Sequence, residues 1–445
     1  MKLYQHQQDA LDQTKDLPNV AFFHDMGLGK TFTGSEAMKR YDCRTNLIIC
    51  QKSKVRDWTV HMMENYEYVA VFDLTDKKQF SGFMNWITAP QDAPASTVCC
   101  VGVINYELAW RRKDLLKLTD FTLMLDESSL IQNPKAKQTK FVLKLRPAHT
   151  ILLSGSPVGG KYENLWSQCH LLGWDIKPHT YDSTYVNWTL IEAGGIKHKI
   201  VDKSDPYKNV DRLKRKMREH GAVFLKTEEV LDLPEQVFQQ IRIPTSNEYW
   251  KFQRNRIVKV HTGVYDHQID HDFDGKEYDD LHELVGDTSL TRLLYSRQLC
   301  GHYNQSKLDA FRDLIQSTKD RMIVFYNFNG ELDALKRICR SENRPISEIN
   351  GHTKDLKAYE QESDSITLVQ YQSGSMGLNL QLSNRIVFFT LPLSSEHFEQ
   401  SKKRIHRIGQ QKTCFYYLMI CEGSVEEQIL ETLEQRKDFT DELFK

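Results

Sequence analysis

The chain has 445 residues, 59 basic and 60 acidic side chains, and a formal net charge of −1. Overall charge therefore does not draw it to nucleic acid, and a binding groove has to come from local patches. Its 40% hydrophobic and 27% charged fractions describe a globular protein of two or three domains. No apolar run reaches the roughly 18 residues of a membrane span. Met1 to Gln7 is polar and holds no apolar signal core, and nine scattered cysteines without a Cys-x-x-Cys pair point to a reducing cytosol.

Leu3 to about Thr14 reads as a helix carrying Gln7, whose amide offers the donor and acceptor that an adenine edge requires. A solvated helix face has the same composition. Val20–Phe23 is a buried strand, and Phe32–Arg40 carries good helix formers. Between them lies His24-Asp25-Met26-Gly27-Leu28-Gly29-Lys30-Thr31, the strand–loop–helix context of a phosphate-binding loop. There the backbone of Met26, Gly27, Leu28 and Gly29 would close around phosphate oxygens at the positive end of a helix. Lys30 would reach the outer phosphates, and the Thr31 hydroxyl would ligate Mg²⁺. His24 stands where the common pattern has its first glycine.

Leu47–Cys50 is the second strand, and Lys52, Ser53 and Lys54 follow at the carboxyl edge, placed to hold a phosphate backbone or simply to start a charged helix. Val98–Ile104 is the third strand, followed by Asn105 and Tyr106. The fourth, Phe121–Leu125, ends in Asp126-Glu127-Ser128-Ser129. Downstream of a phosphate loop such a pair has a use: Asp126 for Mg²⁺, Glu127 to polarise the attacking water. Thr150–Leu153 is the fifth strand, ending in Ser154-Gly155-Ser156-Pro157, either a turn or a relay from the γ-phosphate. These elements predict one doubly wound α/β domain over about 1–230. Its end carries a basic stretch, Lys197 to Arg218, a solvated helix face or a phosphate-gripping arm.

From about 232 to 305 the chain reads as a connection, with Tyr249–Val264 helical and Asp266–Asp287 strongly acidic, seven Asp and two Glu against Lys276. His267 and His271 there are four apart, a weak metal signal beside a solvated insertion. A second α/β pattern starts near Lys307, with strands Arg321–Tyr326, Ile366–Gln370, Arg385–Phe389 and Phe415–Met419. Gln372–Leu380 reads as a glycine-rich turn into a helix. Gln400–Gln410 carries Arg404 and Arg407, which on a helix share one face. This half has no phosphate loop, but fixed guanidinium groups are what a developing γ-phosphate charge requires, so it can complete a neighbour's site. Ser424-Val425-Glu426-Glu427 opens a terminal helix with a capping-box pattern.

Taken together these stretches resemble the Swi/Snf-type ATPases of helicase superfamily two over nearly the whole chain. Asp25–Thr31 looks like the family's phosphate loop, Asp126-Glu127-Ser128-Ser129 stands at its Asp-Glu-Ala-His, and Leu153–Pro157 is similar to its Leu-Thr-Gly-Thr-Pro. Arg404-Ile405-His406-Arg407-Ile408-Gly409-Gln410 is close to its Arg-x-His-Arg-Ile-Gly-Gln, and Gly377-Leu378-Asn379-Leu380 precedes it. Arg297–His302 looks like the segment leading into the second domain.

The resemblance implies an α/β protein of two RecA-like doubly wound parallel-sheet domains in tandem, with helical insertions and a C-terminal helix. The expected boundaries are 1–231, a connection over 232–305, and 306–445. ATP with Mg²⁺ would lie between the domains and double-stranded DNA across both. The implied catalytic set is Lys30, Asp126, Glu127, Arg404 and Arg407. Gln7, Gly377 and Gln400 join the loop residues around the nucleotide, and Thr31 and Asp126 hold the metal. Lys52, Ser53, Lys54, Asn105, Tyr106, Ser373 and Gly374 are the expected nucleic-acid contacts. The expectation is a monomer of the bacterial or phage-infected cytosol, without a membrane and with any protein partner unidentified. Members translocate on duplex DNA. A strand-separating helicase on DNA or RNA and an ATP-gated binding module are the alternatives.

Three departures stand out. Ser129 replaces the histidine that couples hydrolysis to DNA, Gln51 replaces a proline, and Thr390-Leu391-Pro392-Leu393-Ser394-Ser395 replaces Asp-Pro-x-Trp-Asn-Pro with its tryptophan.

Overall fold

The structure, a computed structural model, describes residues 3–67, 69–88, 99–193, 196–202, 204–261, 281–374 and 379–444. It divides into two units, Met1–Asp232 with Arg436–Lys445, and Leu233–Gln435.

The first unit contains β1 (Asn19–His24), β2 (Thr45–Cys50), β3 (Val69–Asp73), β4 (Cys99–Asn105), β5 (Phe121–Asp126), β6 (His149–Leu153), β7 (Trp188–Ala193), β8 (Ile196–Val201) and β9 (Ala222–Leu225). Seven of these form a parallel sheet in the order β3-β4-β2-β5-β6-β1-β9. Its central strands are apolar runs because helices cover both faces, which removes the alternation of a half-exposed strand. Val20 to Phe23 and Leu47 to Cys50 are fully buried. Two strands of this sheet are additional to the five expected. β3 is an edge strand whose short apolar run, Val69–Phe72, is only half-buried. β9 is four residues long and follows Gly221, which has φ +90° and would place a Cβ 2.3 Å from Asn19 O. Only glycine permits that approach, which lets Gly221 O accept from Ala21 N at 2.9 Å.

The basic stretch is divided among the antiparallel hairpin β7–β8, a loop, and the helix Val210–Glu219. Lys203 lies outside the described residues. On the helix Leu213 and Met217 are buried and Lys216 pairs with Glu219 at 2.6 Å, the pattern of a solvated amphipathic face.

The second unit contains β10 (Gln236–Ile243), β11 (Ile257–His261), β12 (Leu281–Val285), β13 (Met322–Tyr326), β14 (Ile346–Ile349), β15 (Lys354–Asp355), β16 (Ile366–Gln370), β17 (Arg385–Phe388) and β18 (Cys414–Cys421). Its sheet runs β10-β18-β17-β13-β16-β14-β15, parallel except at β15. The stretch expected as a connection is therefore largely built into this unit: β10 is its edge strand, and the helices Asn247–Asn255 and Ser289–Cys300 belong to it. The helix expected over Tyr249–Val264 stops at Asn255. Arg256 takes φ +61° and returns its N–H to Phe252 O at 2.8 Å, and the β-branched Ile257, Val258 and Val260 then continue as a strand paired with β12. His267 and His271 lie outside the described residues.

The terminal helix Val425–Phe444 buries Ile429, Leu430 and Leu433. Its expected capping box takes another form. Ser424 Oγ accepts from Glu426 N at 3.1 Å, and the Glu427 carboxylate pairs with Arg242 at 3.0 Å. Glu426 turns inward, where both its oxygens accept from Lys307 Nζ at 2.7 and 2.8 Å, with both side chains almost fully buried. Lys307→Ala leaves a buried carboxylate uncompensated, and should destabilise the second unit by about 3–5 kcal/mol in denaturant unfolding.

Candidate active site

The loop expected to bind phosphate leaves β1 at His24 and enters the helix Lys30–Tyr41 through Gly29 at φ +73°. Gln7, on the helix Gln5–Gln13, is buried against it: Nε2 donates to Gly29 O at 3.0 Å and Oε1 accepts from Tyr4 N at 2.9 Å. A Cβ on Gly29 would lie 2.4 Å from Gln7 Nε2, the movable end of that side chain, so it is the φ of +73° that calls for glycine here. Lys30 Nζ donates to His24 O at 2.8 Å and Asp25 O at 3.2 Å. The Asp25 carboxylate accepts from both Thr227 N and Thr227 Oγ1 at 3.1 Å, fastening the loop to the turn after β9.

His24 is fully buried with its ring edge against Phe22, and neither ring nitrogen has a hydrogen-bond partner among the described residues. Burial first, then the Lys30 charge, pushes its pKa down to about 3 from 6.5. Between those values the unfolded chain binds a proton that the folded chain excludes, so stability is lost as pH falls below 6.5. His24→Leu should remove about 2 kcal/mol of the stability difference between pH 7 and pH 5, read from urea midpoints at the two pH values.

Parallel pairing brings three strand ends together: Phe22 is opposite Leu153, and Leu153 is opposite Asp126. Gly155, just past β6, faces the phosphate loop, since a Cβ there would lie 3.3 Å from Lys30 Nζ. Asp126 is held from two sides. Trp58 Nε1 donates to its Oδ2 at 2.8 Å, and Tyr106 OH donates to its backbone oxygen at 2.9 Å. Burial raises the Asp126 pKa, opposed by the Trp58 hydrogen bond and by the charges of Lys30 and Lys54. A divalent cation would offset that cost directly, and the half-buried Asp126 carboxylate and the Thr31 hydroxyl are hard oxygen donors of the kind Mg²⁺ takes. Glu127 follows at φ +51°, a left-handed turn that points the chain away from the strand. The next two turns are joined through a helix: Ser128 Oγ donates to Gln168 Oε1 at 2.8 Å, and Gln168 Nε2 donates to Pro157 O at 2.7 Å.

Among the expected nucleic-acid contacts, Lys52 and Ser53 are exposed, and Lys54 pairs with Asp57 at 2.8 Å. Asn105 is mostly buried and donates to Glu107 at 2.6 Å, while Tyr106 is buried in the core beneath Asp126. Gly377 lies outside the described residues. Ser373 and Gly374 end a short helix, Tyr371–Gly374, and residues 375–378 lie outside the described ones.

In the second unit the helix Ser395–Lys402 carries Gln400, which donates to Glu396 at 3.2 Å. Arg404 and Arg407 lie beyond its end, in turns, and do not share a helical face. Arg404 N and Gln410 N each bond three residues back, and Gly409 has φ +96°. Arg404 is buried, and burial lowers the Arg407 pKa. The segment is pinned by His406 Nε2 to Pro234 O at 2.9 Å and by Gln410 Nε2 to Ser383 O at 2.9 Å.

Thr390 sits in a buried polar network. Its hydroxyl donates to Glu331 Oε2 at 3.0 Å and accepts from Asn327 Nδ2 at 2.9 Å, while Tyr371 OH donates to Thr390 O at 2.9 Å. Arg297 Nη2 donates to Leu391 O at 2.9 Å. Burial pushes the Glu331 pKa up to about 7. Trp58, Gln168 and Glu331 were not signalled by any motif. Each sits inside an ordinary helical pattern, and only tertiary pairing shows its partner.

Two family models match the chain, the SNF2-related domain over residues 6–305 and the helicase conserved C-terminal domain over residues 306–409. A putative ATP-dependent helicase/translocase of Bacillus subtilis is 22% identical over 75% of this chain and 36% of its own length. The mouse SWI/SNF-related, matrix-associated, actin-dependent regulator of chromatin, subfamily A member 1, is 23% identical over 92% of this chain and 40% of its own length. The chain thus spans well under half of these relatives. A solved Sulfolobus solfataricus SWI2/SNF2 ATPase core in complex with double-stranded DNA aligns over 99% of this chain and 92% of its own, with 18% identity and a TM-score of 0.43. No described helix is long and apolar enough to cross a membrane.

Proposed function

Because the chain belongs to the SNF2-related family, we propose that it is a DNA-dependent ATPase that moves on, or remodels protein on, duplex DNA, with ATP bound between its two domains. The observation that carries this reading is the meeting of Lys30, Asp126 and Gly155 at one sheet edge of the first unit. A cation, a half-buried carboxylate and an open backbone there suit a triphosphate. Lys30 exchanges its bonds to His24 O and Asp25 O for phosphate oxygens. The loop amides of Met26 to Gly29 bind the phosphates, and Gln7 turns from Gly29 O toward the base. Thr31 and Asp126 hold Mg²⁺, which supplies charge neutralisation on the outer phosphates. Glu127 orients and deprotonates the attacking water. Arg404 and Arg407 come from the second domain and stabilise the charge of the transferring phosphoryl group. Lys52, Ser53 and Lys54 contribute phosphate-backbone contacts to the DNA path.

The test is steady-state ATP turnover of the purified chain with duplex DNA, single-stranded DNA and RNA. Duplex DNA is expected to stimulate most. No turnover with any of the three overturns the enzyme assignment, and stronger stimulation by single strands or RNA overturns the duplex preference. Binding to duplex should weaken with salt at a log–log slope of about 0.9 per phosphate contact.

A further inference from the structure

We propose that Gln168 is a positioning residue that links the Ser154–Pro157 turn to the Asp126–Ser128 turn, so that stimulation of hydrolysis by DNA passes through its side-chain amide. This rests on the ATPase reading above. Gln168 lies on the helix Trp166–Leu171 and is fully buried, as is Ser128. Its two amide groups reach two different turns of the site. Oε1 accepts from Ser128 Oγ at 2.8 Å and Nε2 donates to Pro157 O at 2.7 Å.

Each end of this bridge adjoins the chemistry. Ser128 follows Glu127, which holds φ +51° in a left-handed turn. Such a conformation persists in a non-glycine residue only when its surroundings hold it, and the Ser128–Gln168 bond is one such restraint. Pro157 lies two residues after Gly155, the residue that faces Lys30 Nζ, and Ser154 Oγ accepts from Ser156 N at 3.2 Å to close that turn. A displacement of the Pro157 carbonyl is therefore handed through one rigid amide to the residue beside the Glu127 carboxylate. A second link runs parallel to it nearer the surface, from Asn164 Nδ2 to Gln132 Oε1 at 3.2 Å.

If the amide only satisfied its two buried partners, Gln168→Leu would cost stability, as a buried polar group left unpaired does, and leave DNA stimulation unchanged. A polar bridge is needed only if the two turns must keep register while they move. Ser129, where the resemblance places a coupling histidine, is itself buried, and Ser128 beside it carries the observed bond.

The experiment compares wild type, Gln168→Leu, Ser128→Ala, Ser128→Thr and the Gln168→Leu/Ser128→Ala double variant. It measures thermal melting, duplex binding, and ATP turnover with and without duplex DNA. Gln168→Leu and Ser128→Ala should keep basal turnover, KM for ATP and duplex affinity, but lose fivefold or more of the DNA stimulation, the lower end of the about 5- to 150-fold range of allosteric coupling. The double variant should be no worse than either single one, because both break the same bridge, and Ser128→Thr should retain stimulation. Undiminished stimulation in Gln168→Leu, or additive losses in the double variant, overturns the proposal. If Gln168→Leu does not fold, Ser128→Ala decides alone, since it removes only a hydroxyl. A wild-type chain that no nucleic acid stimulates overturns the parent reading and this one together, and is seen before any variant is made.

Discussion

Arg407→Ala is expected to lower ATP turnover by about 10³-fold or more, the range over which arginine fingers act in related phosphoryl transfers. Nucleotide binding should change little, because Arg407 belongs to the second unit and the phosphate loop to the first. The structure adds a reason to expect a specific loss. Arg407 lies in a turn whose neighbours His406 and Gln410 are bonded to backbone oxygens, so its position does not depend on its own side chain. Truncation therefore removes the guanidinium and leaves the segment in place. Arg407→Lys should rescue poorly, since a single ammonium does not reproduce the planar fork. Single-turnover hydrolysis with saturating DNA, beside equilibrium binding of an ATP analogue, separates the two effects. Turnover within tenfold of wild type would remove Arg407 from the transition state.

The second large effect is expected at Glu127. Glu127→Gln keeps the volume and the left-handed turn but removes the proton acceptor. Turnover should fall by about 10²- to 10⁴-fold, the contribution of a positioned general base. ATP and duplex DNA should still bind, and the variant should accumulate with ATP uncleaved. Asp126→Asn makes a useful contrast. Asp126 is half-buried against Trp58 and Tyr106, and its charge is what that burial disfavours. The asparagine variant should lose Mg²⁺ dependence of nucleotide binding while the fold melts no earlier. A Glu127→Gln chain that hydrolyses ATP at the wild-type rate would move the base elsewhere.

Much of the fold was legible because parallel strands buried on both faces appear as continuous apolar runs. Val20–Phe23, Leu47–Cys50 and Phe121–Leu125 are such runs and became central strands. The strands of the two large sheets that escaped lie at an edge or, as the four-residue β14 does, next to one. β3 is half-buried, β15 is two residues long, and β10 mixes exposed glutamines with Val237 and Ile241. Each gains its identity from a neighbour's backbone, which leaves little trace in composition. The candidate phosphate loop and Asp-Glu pair stood out in the sequence for a different reason: the chemistry proposed for them restricts residue type at fixed spacing. Arg404 and Arg407 were recognisable as residues but not as geometry, because the helix ends at Lys402 and turns carry them. Gln168 and Glu331 could not be found from sequence, since a glutamine or glutamate within a helix gives no sign that its partner lies on another turn.

The indole above Asp126 also has a spectroscopic consequence. Trp58 donates its only polar hydrogen to the carboxylate expected to meet the metal, while its ring is almost entirely shielded from solvent. An indole in that position is a native fluorophore wired to one charge. Its emission should shift when magnesium or nucleotide changes the field at Asp126, with no label attached. The chain has seven tryptophans, so the signal is the difference between wild type and Trp58→Phe, and it offers a stopped-flow clock for site loading.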